Sequence, residues 1–363
     1  MSPDLRAYLG RELKAGYAAR EALAAALLPD GYPPSLKDRV ACVTLLAGSG
    51  SRWVESVREA RAAGAAVEFD EAKPRGLYPV RNLMGEGPER LPIASYALRA
   101  VRGLGYNVIV TRGFEAEIES SILRPLGYRA GDYAFREQAV REGKPRGHGD
   151  AAFQCMELWA DKEYVIFNFG GDASSPLTAA LGLAFIAAMD RDGAAPGLLL
   201  PVARKPSPAY PIRVDVEGRP LSFGHAKLKA APAGASAGAV GSVQAGGSAD
   251  DGGYADDGGY ADDGAAYTNV GVRIYRAAEL ADAIGELRRR HWTAERGYAL
   301  PGNDPAGGEF ALDNVDEYLA EKGRARLLYV ARPEELSPVK SLADVPRFES
   351  DIGAVYRDRM PRA

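Results

Sequence analysis

Apolar residues along this chain occur in two patterns, which predict different secondary structure. Short continuous apolar runs predict buried strands, whereas segments in which apolar residues recur every three or four positions predict helices. Strands are predicted over residues 43–46, 107–111, 164–167, 197–202, 268–275 and 325–330, and helices over 93–104, 150–159, 177–189, 276–290 and 313–322. Because strands and helices alternate, we expect an α/β fold with a Rossmann-like mixed, mostly parallel sheet flanked by helices.

The same pattern divides the chain into a main domain and three other segments. Residues 1–40 are predicted to form an N-terminal helical extension, residues 41–350 the main domain and residues 351–363 a C-terminal tail. Between about 230 and 266 the apolar pattern disappears, and a six-residue Ala-Asp-Asp-Gly-Gly-Tyr repeat takes its place. An acidic repeat without an apolar face does not offset the entropy lost on ordering, so we predict a disordered insertion. Calcium binding by its aspartate pairs is the less favoured alternative.

Composition and charge narrow the class of protein. The 363 residues carry a net charge of −4, and 46% of them are hydrophobic. This balance gives no electrostatic reason to expect binding to nucleic acid or to an anionic membrane surface. The most apolar segment, 179–189, is too short to span a bilayer, and the N-terminus does not resemble a secretory signal. We therefore expect a cytoplasmic protein in which Cys42 and Cys155 are buried free thiols.

The first predicted strand ends at a loop of small residues that is suited to binding a phosphate. The strand is followed by Ala47, Gly48, Ser49, Gly50, Ser51 and Arg52. Glycines let successive backbone N–H groups face an anion, and Arg52 adds a fixed positive charge. The loop is not a Walker motif, because no Gly-Lys-Ser/Thr follows it, and Trp53 replaces the third glycine of a dinucleotide-binding fingerprint.

Together with two later segments, this loop resembles the nucleotidyltransferases that act on sugar phosphates. Residues 47–52 are similar to the Ala/Gly-x-Gly-Thr/Ser-Arg signature of that superfamily. The segment Lys73-Pro74-Arg75 resembles its Pro-Lys stretch, with Arg75 where lysine is usual and Lys73 two residues earlier. Asp172 follows a predicted strand and two glycines, and it matches the family's Gly-Asp metal ligand. The resemblance, which covers about residues 41 to 350, implies the fold of the nucleotide-diphospho-sugar transferases.

Two further segments resemble the uridine-specific members of that superfamily. Residues 145–150, Pro-Arg-Gly-His-Gly-Asp, are similar to a segment of UDP-glucose and UDP-sugar pyrophosphorylases and of N-acetylglucosamine-1-phosphate uridyltransferases. The similarity implies contacts to the nucleotide from Gly147, His148, Gly149 and Asp150. Residues 336–340, Leu-Ser-Pro-Val-Lys, resemble a Pro-Val-Lys…Asp segment whose lysine contacts phosphate, which implies that role for Lys340.

The resemblance also implies positions that bind the sugar. Thr268 and Asn269 resemble a strand that lines the sugar site, and Lys227, close to His225, stands where the family places sugar-binding residues. Several of these residues have structural alternatives. Asp172 could instead cap the helix that follows it. His148 could simply pack within its loop, and Lys340 could be a solvated surface lysine. Glu309 and Asp313 precede a predicted helix and are assigned only to its cap.

The implied activity is Mg²⁺-dependent transfer of a nucleotidyl group from an NTP, with UTP favoured, to a sugar 1-phosphate, with release of pyrophosphate. A sugar 1-phosphate is already an anionic nucleophile, so the chemistry needs cations more than a general base. The candidate catalytic cations are Arg52, Arg75, Lys73 and Lys340, and the candidate metal ligand is Asp172. The alternatives are a transferase that uses CTP or GTP, and a catalytically silent nucleotide-sugar-binding protein of the same fold.

Overall fold

A computed structural model describes residues 20–48, 50–85, 87–140, 146–206, 212–214, 219–223, 265–294, 297–300 and 308–356. The strands, numbered in chain order, are β1 Val40–Leu45, β2 Pro79–Arg81, β3 Arg90–Pro92, β4 Tyr106–Thr111, β5 Tyr133–Glu137, β6 Tyr164–Phe169, β7 Leu198–Pro206, β8 Ile212–Val214, β9 Pro220–Phe223, β10 Ala265–Asn269, β11 Arg273–Arg276, β12 Trp292–Thr293, β13 Gly297–Tyr298 and β14 Ala325–Leu328.

The helices lie between these strands and on either side of the sheet that they form. They are α1 Arg20–Leu27, α2 Pro34–Lys37, α3 Ser51–Ala62, α4 Ala94–Val101, α5 Glu115–Ile118, α6 His148–Gln154, α7 Pro176–Arg191, α8 Ala277–His291, α9 Leu312–Glu321 and α10 Val345–Val355. None of them, within the ranges given above, has both the length and the apolarity needed to cross a bilayer.

A ten-stranded mixed sheet forms the centre of the molecule, in the order β5-β4-β1-β6-β11-β7-β10-β8-β9, with β14 also paired to β7. The four strands β5, β4, β1 and β6 are mutually parallel. Strand β11 runs antiparallel to both β6 and β7, and β14 runs parallel to β7. The α/β fold with a mixed sheet and a parallel core, expected from the sequence, is therefore confirmed.

Burial on both faces of the sheet explains why its central strands read as continuous apolar runs. Ala41 and Val43 of β1 face one hydrophobic cluster, which includes residues of α8 and α9. Val40 and Cys42 of the same strand face the other, which includes residues of α1 and α7. A strand covered by helices on both faces has no solvent side on which polar residues would alternate. Both cysteines are buried free thiols as expected, and burial raises the pKa of Cys155 to about 12.

The structure differs from the sequence prediction where a single glycine interrupts a strand. Residues 268–275 were expected to form one strand, but they form β10 and β11, separated by a turn at Gly271. Gly271 has a φ of 77°, in the left-handed region that interrupts an extended strand. Strand β5 was not predicted from the sequence. It lies at the edge of the sheet and is only partly buried, so it lacks an apolar run.

The described part of the predicted N-terminal extension packs into the body of the protein. Leu23 of α1 and Leu28, one residue beyond its end, are each 1% exposed and belong to the cluster that covers α7. Residues 1–19 and the predicted insertion up to residue 264 lie outside the described residues. At the other end, α10 continues into the segment assigned to the tail, where Ile352 and Val355 are buried.

Candidate functional site

The loop after β1 and the turn after β6 lie side by side at one edge of the sheet. The two strands are adjacent and parallel, with Leu45 paired to Phe169 in register. The Gly170 N–H donates to the Leu45 carbonyl at 3.0 Å, which joins the two strand ends. In open α/β sheets, ligands bind outside the carboxyl ends of the strands, which is where this pair of segments lies.

Arg75 lies between the loop and the turn because its neighbour Gly76 fits tightly onto both strand ends. A methyl group on Gly76 would come within 2.7 Å of the Gly170 carbonyl oxygen and 2.4 Å of Leu46 Cδ1. The Arg75 side chain in turn occupies the space over two other glycines. A Cβ atom on Gly171 would lie 2.5 Å from Arg75 Nε, and one on Gly50 would lie 3.5 Å from Arg75 Nη1. Close approach to backbone therefore fixes the guanidinium at this edge.

Asp172 follows β6 and points its carboxylate at the turn between β10 and β11. A Cβ atom on Gly271 would lie 2.6 Å from Asp172 Oδ2, so the carboxylate lies against bare backbone. Burial raises the pKa of Asp172, and the positive charges of Arg75, Lys340 and Arg273 counter this shift only in part. Within the described part of the chain, the Asp172 carboxylate accepts no hydrogen bond from another residue. A carboxylate acted on by three nearby positive charges is a candidate ligand for a cation.

Lys340 reaches the same edge because its segment is bonded to the turn that follows β6. The Val339 N–H donates to the Gly171 carbonyl at 3.0 Å. Asp344 closes the turn after Lys340, since its Oδ2 accepts from the N–H of Lys340 at 2.9 Å and from that of Ser341 at 2.7 Å. The aspartate of the Pro-Val-Lys…Asp pattern therefore orients the backbone that carries the lysine.

A cavity of about 460 Å³ opens beside these residues. Its wall includes Arg75, Asp172, Lys340, Asn269 and His148, which are five of the residues singled out from the sequence. Apolar side chains, among them Phe169, Ile212 and Phe223, line the rest of the wall together with polar groups of the segment from Glu335 to Lys340. A concave site of this size with convergent polar groups is suited to a small polar molecule.

His148 lines this cavity in a single fixed orientation. Its Nδ1 accepts a hydrogen bond from the Leu312 N–H at 2.8 Å, so the neutral ring carries its proton on Nε2. Nε2 lies 3.5 Å from Asp313 Oδ2, and the ring packs edge-on against Phe169 with 5.2 Å between centroids. The histidine is therefore part of the wall as well as part of the packing between β6 and α9.

An ionic network begins in the cavity wall at Arg273 and Asp313 and continues into the core, and sequence reasoning missed it. Arg273 donates from Nε to Asp316 at 2.7 Å and from Nη2 to Asp313 at 2.6 Å. The Tyr275 hydroxyl donates to the other oxygen of Asp316 at 2.5 Å. Burial raises the pKa of Asp316 to about 6. An arginine between the apolar residues Val272 and Ile274 was the available signal, because a charge within a buried strand requires a partner.

In the Gly-His-Gly-Asp segment, Gly147, Gly149 and Asp150 pack against other segments of the chain. Methyl groups on Gly147 and Gly149 would come within 2.4 Å and 3.0 Å of backbone atoms of residues 310 and 311. Asp150 is buried and accepts hydrogen bonds from Tyr298 Oη at 2.6 Å and Arg288 Nη1 at 3.2 Å. These contacts account for the residue types at 147, 149 and 150 through packing, and only His148 of this segment lines the cavity.

The two remaining candidate cations lie outside the cavity wall. Lys73 forms an ion pair with Glu117, with 2.8 Å between Nζ and Oε1. Arg52 is exposed on the first turn of α3, whose Trp53 is fully buried against Phe69 and Tyr78. Helix α3 is thereby anchored to the body of the protein.

The described part of the glycine loop is open on its outer side. The Ala47 carbonyl accepts from Arg112 Nε at 2.8 Å, and a methyl group on Gly48 would meet no atom within 4 Å. Gly50 has a φ of 78° and precedes Ser51, which is exposed at the start of α3. Ser49 lies outside the described residues, as do Lys227 and His225.

Comparison with known proteins identifies no family for this chain. No protein-family model matches it, and no curated protein matches it. The chemistry of the cavity is therefore the basis for the functional argument.

Proposed function

We propose that this protein transfers a nucleotidyl group from a nucleoside triphosphate to a sugar 1-phosphate and releases pyrophosphate. The observation that carries the proposal is the convergence of Arg75, Lys340 and Asp172 at the carboxyl ends of β1 and β6, beside the Gly/Ser loop. The wall also contains Arg273 and Arg347 and the carboxylates of Asp313, Glu335 and Asp344. Within it, the two cations beside Asp172 are suited to a reaction between two polyanions.

In this reaction, an oxygen of the sugar phosphate attacks the α-phosphorus of the triphosphate. The new P–O bond forms as the bond from the α-phosphorus to the bridging oxygen breaks, and that electron pair leaves with pyrophosphate. The acceptor oxygen already carries negative charge, so no protein group has to remove a proton. The guanidinium of Arg75 and the ammonium of Lys340 would bind the phosphate oxygens on which negative charge accumulates.

Asp172 would hold Mg²⁺ together with the phosphates of the substrate. Among the described residues, no group of three or more His, Cys, Asp or Glu side chains is placed to hold a metal. Asp172 fits the other pattern, in which Mg²⁺ is bound through one or two carboxylates plus substrate phosphates. When bound, the ion supplies positive charge to the α-phosphate and the departing pyrophosphate.

The direct test is incubation of the protein with Mg²⁺, UTP and a panel of sugar 1-phosphates, with release of pyrophosphate as the readout. We expect UTP to support turnover best, since the segments 145–150 and 336–340 resemble those of uridine-specific enzymes. CTP, GTP and ATP are the comparison nucleotides. If no pair yields pyrophosphate, and labelled pyrophosphate exchanges into none of the triphosphates, the proposal fails. Binding of a UDP-sugar without turnover would instead favour the silent nucleotide-sugar-binding protein.

Separate substitutions of Arg75 and Lys73 distinguish which cation contacts phosphate. Arg75→Ala should lower kcat/KM by about 10²–10³-fold, as does the loss of one group that stabilises transition-state charge. Lys73→Ala should change it by less than about three-fold, because Lys73 pairs with Glu117 outside the cavity. Initial rates of pyrophosphate release measure both. A large loss in Lys73→Ala with little change in Arg75→Ala would reverse the assignment.

Gly271→Ala should impair turnover far more than its effect on stability accounts for. A methyl group at this position would come within 2.6 Å of Asp172 Oδ2 and would displace the carboxylate. Gly271 also has a φ of 77°, and this backbone conformation destabilises the fold by about 1–2 kcal/mol for any residue with a Cβ.

Gly323→Ala is the matched control for this change. Gly323 has a φ of 67°, but a methyl group there would meet no atom within 4 Å. Both variants should lose similar stability in urea unfolding, and only Gly271→Ala should lose activity. Equal activity in the two variants would show that the position of Asp172 does not matter.

A further inference from the structure

A second cavity, of about 580 Å³, lies at the opposite edge of the sheet. Its wall contains residues that lie one to three positions before the parallel strands: Lys37 and Asp38 come before β1, Asp132 comes before β5, and Lys162 comes before β6. Strands of six residues, which span about 20 Å, separate this edge from the candidate active site. A ligand here would not touch Arg75, Asp172 or Lys340.

Positive charge predominates in this cavity. Four cationic side chains line it, namely Lys37, Arg102, Arg129 and Lys162, whereas the carboxylates in the wall are those of Asp38 and Asp132. The cations come from four segments that are far apart in the sequence, so the tertiary fold brings them together. Asp161, outside the wall, lies 3.5 Å from Lys162, so one positive charge remains in excess, and this excess favours an anionic ligand such as a phosphate.

Local contacts hold this charged wall in place. Asp132 Oδ2 accepts a hydrogen bond from the Arg129 N–H at 2.7 Å, which fixes the loop before β5. Arg102 Nη2 donates to the Gly127 carbonyl at 3.2 Å, and Lys162 Nζ lies 3.5 Å from Asp161 Oδ2. The four cations outnumber the carboxylates of Asp38, Asp132 and Asp161, so the field in the cavity is positive.

The remaining wall favours a small, polar ligand over an apolar one. It includes four glycines, the amide of Asn107 and the ring of Tyr106. Methyl groups on Gly103 and Gly131 would meet no atom within 4 Å, so the backbone there is open. The volume lies in the range of small-molecule sites, yet this wall lacks the aliphatic side chains that line most of them.

From the charge, volume and composition of this wall, we propose that the cavity is a binding site for a phosphorylated small molecule. Arg102 and Arg129 are suited to a bidentate grip on a phosphate group, and Lys37 and Lys162 act as point charges around it. The proposal does not rest on nucleotidyl transfer, because the two cavities share no residues.

Titration of the full chain with inorganic phosphate, by calorimetry without Mg²⁺ and at constant ionic strength, tests this site. In the Arg75→Ala/Lys340→Ala background, which removes the cations of the other cavity, the added double substitution Arg129→Ala/Lys162→Ala should weaken phosphate binding about ten-fold. The conservative double variant Arg129→Gln/Lys162→Gln should lose affinity to the same extent. Arg75→Ala/Lys340→Ala should still bind phosphate at this cavity.

A charge-matched control removes two exposed arginines of α8, in Arg289→Ala/Arg290→Ala, and should leave affinity unchanged. If this control and Arg129→Ala/Lys162→Ala lose affinity for phosphate equally, the binding is non-specific electrostatic attraction and the proposal is overturned. Loss of phosphate binding only in Arg75→Ala/Lys340→Ala would also overturn it, as would the absence of binding to the unmodified chain. None of these measurements involves turnover, so this test is independent of the test of the proposed transferase activity.

Discussion

Asp172→Asn is expected to lower Mg²⁺-dependent turnover by about 10³-fold while the fold remains intact. The substitution keeps the size of the side chain and removes the negative charge that would hold the metal. Activity should be measured as pyrophosphate release over a range of Mg²⁺ concentrations. Asp161→Asn, at an exposed position before β6, is the control and should retain activity near that of the unmodified chain.

The direction of the Asp172 pKa predicts the effect of this variant on stability. Burial raises the pKa of this carboxyl, so between its unfolded and folded pKa values the folded state binds more protons than the unfolded state. Stability therefore decreases as pH rises through that window, and the ionised Asp172 destabilises the fold at neutral pH. Asp172→Asn should consequently unfold at the same urea concentration or a higher one.

The same pKa shift predicts how turnover depends on pH. Activity should fall as pH decreases through the raised pKa, because the protonated carboxyl does not bind Mg²⁺. Near-normal turnover in Asp172→Asn would place the metal site elsewhere. A variant that loses both activity and stability would indicate that Asp172 has a structural role in the turn after β6.

Glu335→Ala is expected to destabilise the protein by about 3–5 kcal/mol, the largest stability effect we predict. Its carboxylate is fully buried and accepts hydrogen bonds from Arg20 Nη1 at 3.3 Å, the Ser175 N–H at 2.8 Å and Thr178 Oγ1 at 2.8 Å. Arg20 also donates to the Val330 carbonyl at 2.9 Å. Removal of the glutamate breaks this buried ion pair and takes away the acceptor of the Ser175 N–H and the Thr178 hydroxyl.

Urea unfolding measures this loss, with Glu334→Ala as the neighbouring control. Glu334 is only partly buried, and its substitution should change the free energy of unfolding by less than about 0.5 kcal/mol. The paired variant Arg20→Met/Glu335→Leu should recover much of the loss, because it removes both charges together. A loss in Glu335→Ala no larger than that in Glu334→Ala would show that the ion pair contributes little.

This ion pair also connects the N-terminal helix to the candidate site. Glu335 lies in the wall of the cavity and precedes Lys340 by five residues in the same segment. Arg20 belongs to α1, which the sequence assigned to an extension outside the main domain. The structure therefore gives α1 a part in holding the segment that carries Lys340.

Some features of the site followed directly from the sequence pattern. The apolar run of β1 that ends in small residues, and that of β6 that ends in Gly170-Gly171-Asp172, marked two strand ends as candidates. Because β1 and β6 are parallel neighbours, their carboxyl ends meet at one edge. Arg75 and Lys340 were named through resemblance, and the structure brings both to that edge.

Other features depended on contacts between residues distant in sequence. The sequence left both Arg75 and Lys73 as candidate cations, and in the structure Arg75 lines the cavity whereas Lys73 forms an ion pair with Glu117. Gly147, Gly149 and Asp150 were expected at the nucleotide, but their types are explained by packing against residues 310–311, Tyr298 and Arg288. Asp313 was expected only to cap a helix, and it binds Arg273 in the cavity wall.

The sequence by itself determined the alternation of strands and helices, the parallel core and the strand ends where small and charged residues collect. These are local properties, because periodicity and glycine content act over a few residues. Only the tertiary structure decided which cations face Asp172, which glycines permit close backbone contact and which charges are paired in the interior. Those outcomes depend on partners that are distant in sequence, more than three hundred residues apart for Arg20 and Glu335, so a local sequence pattern does not predict them.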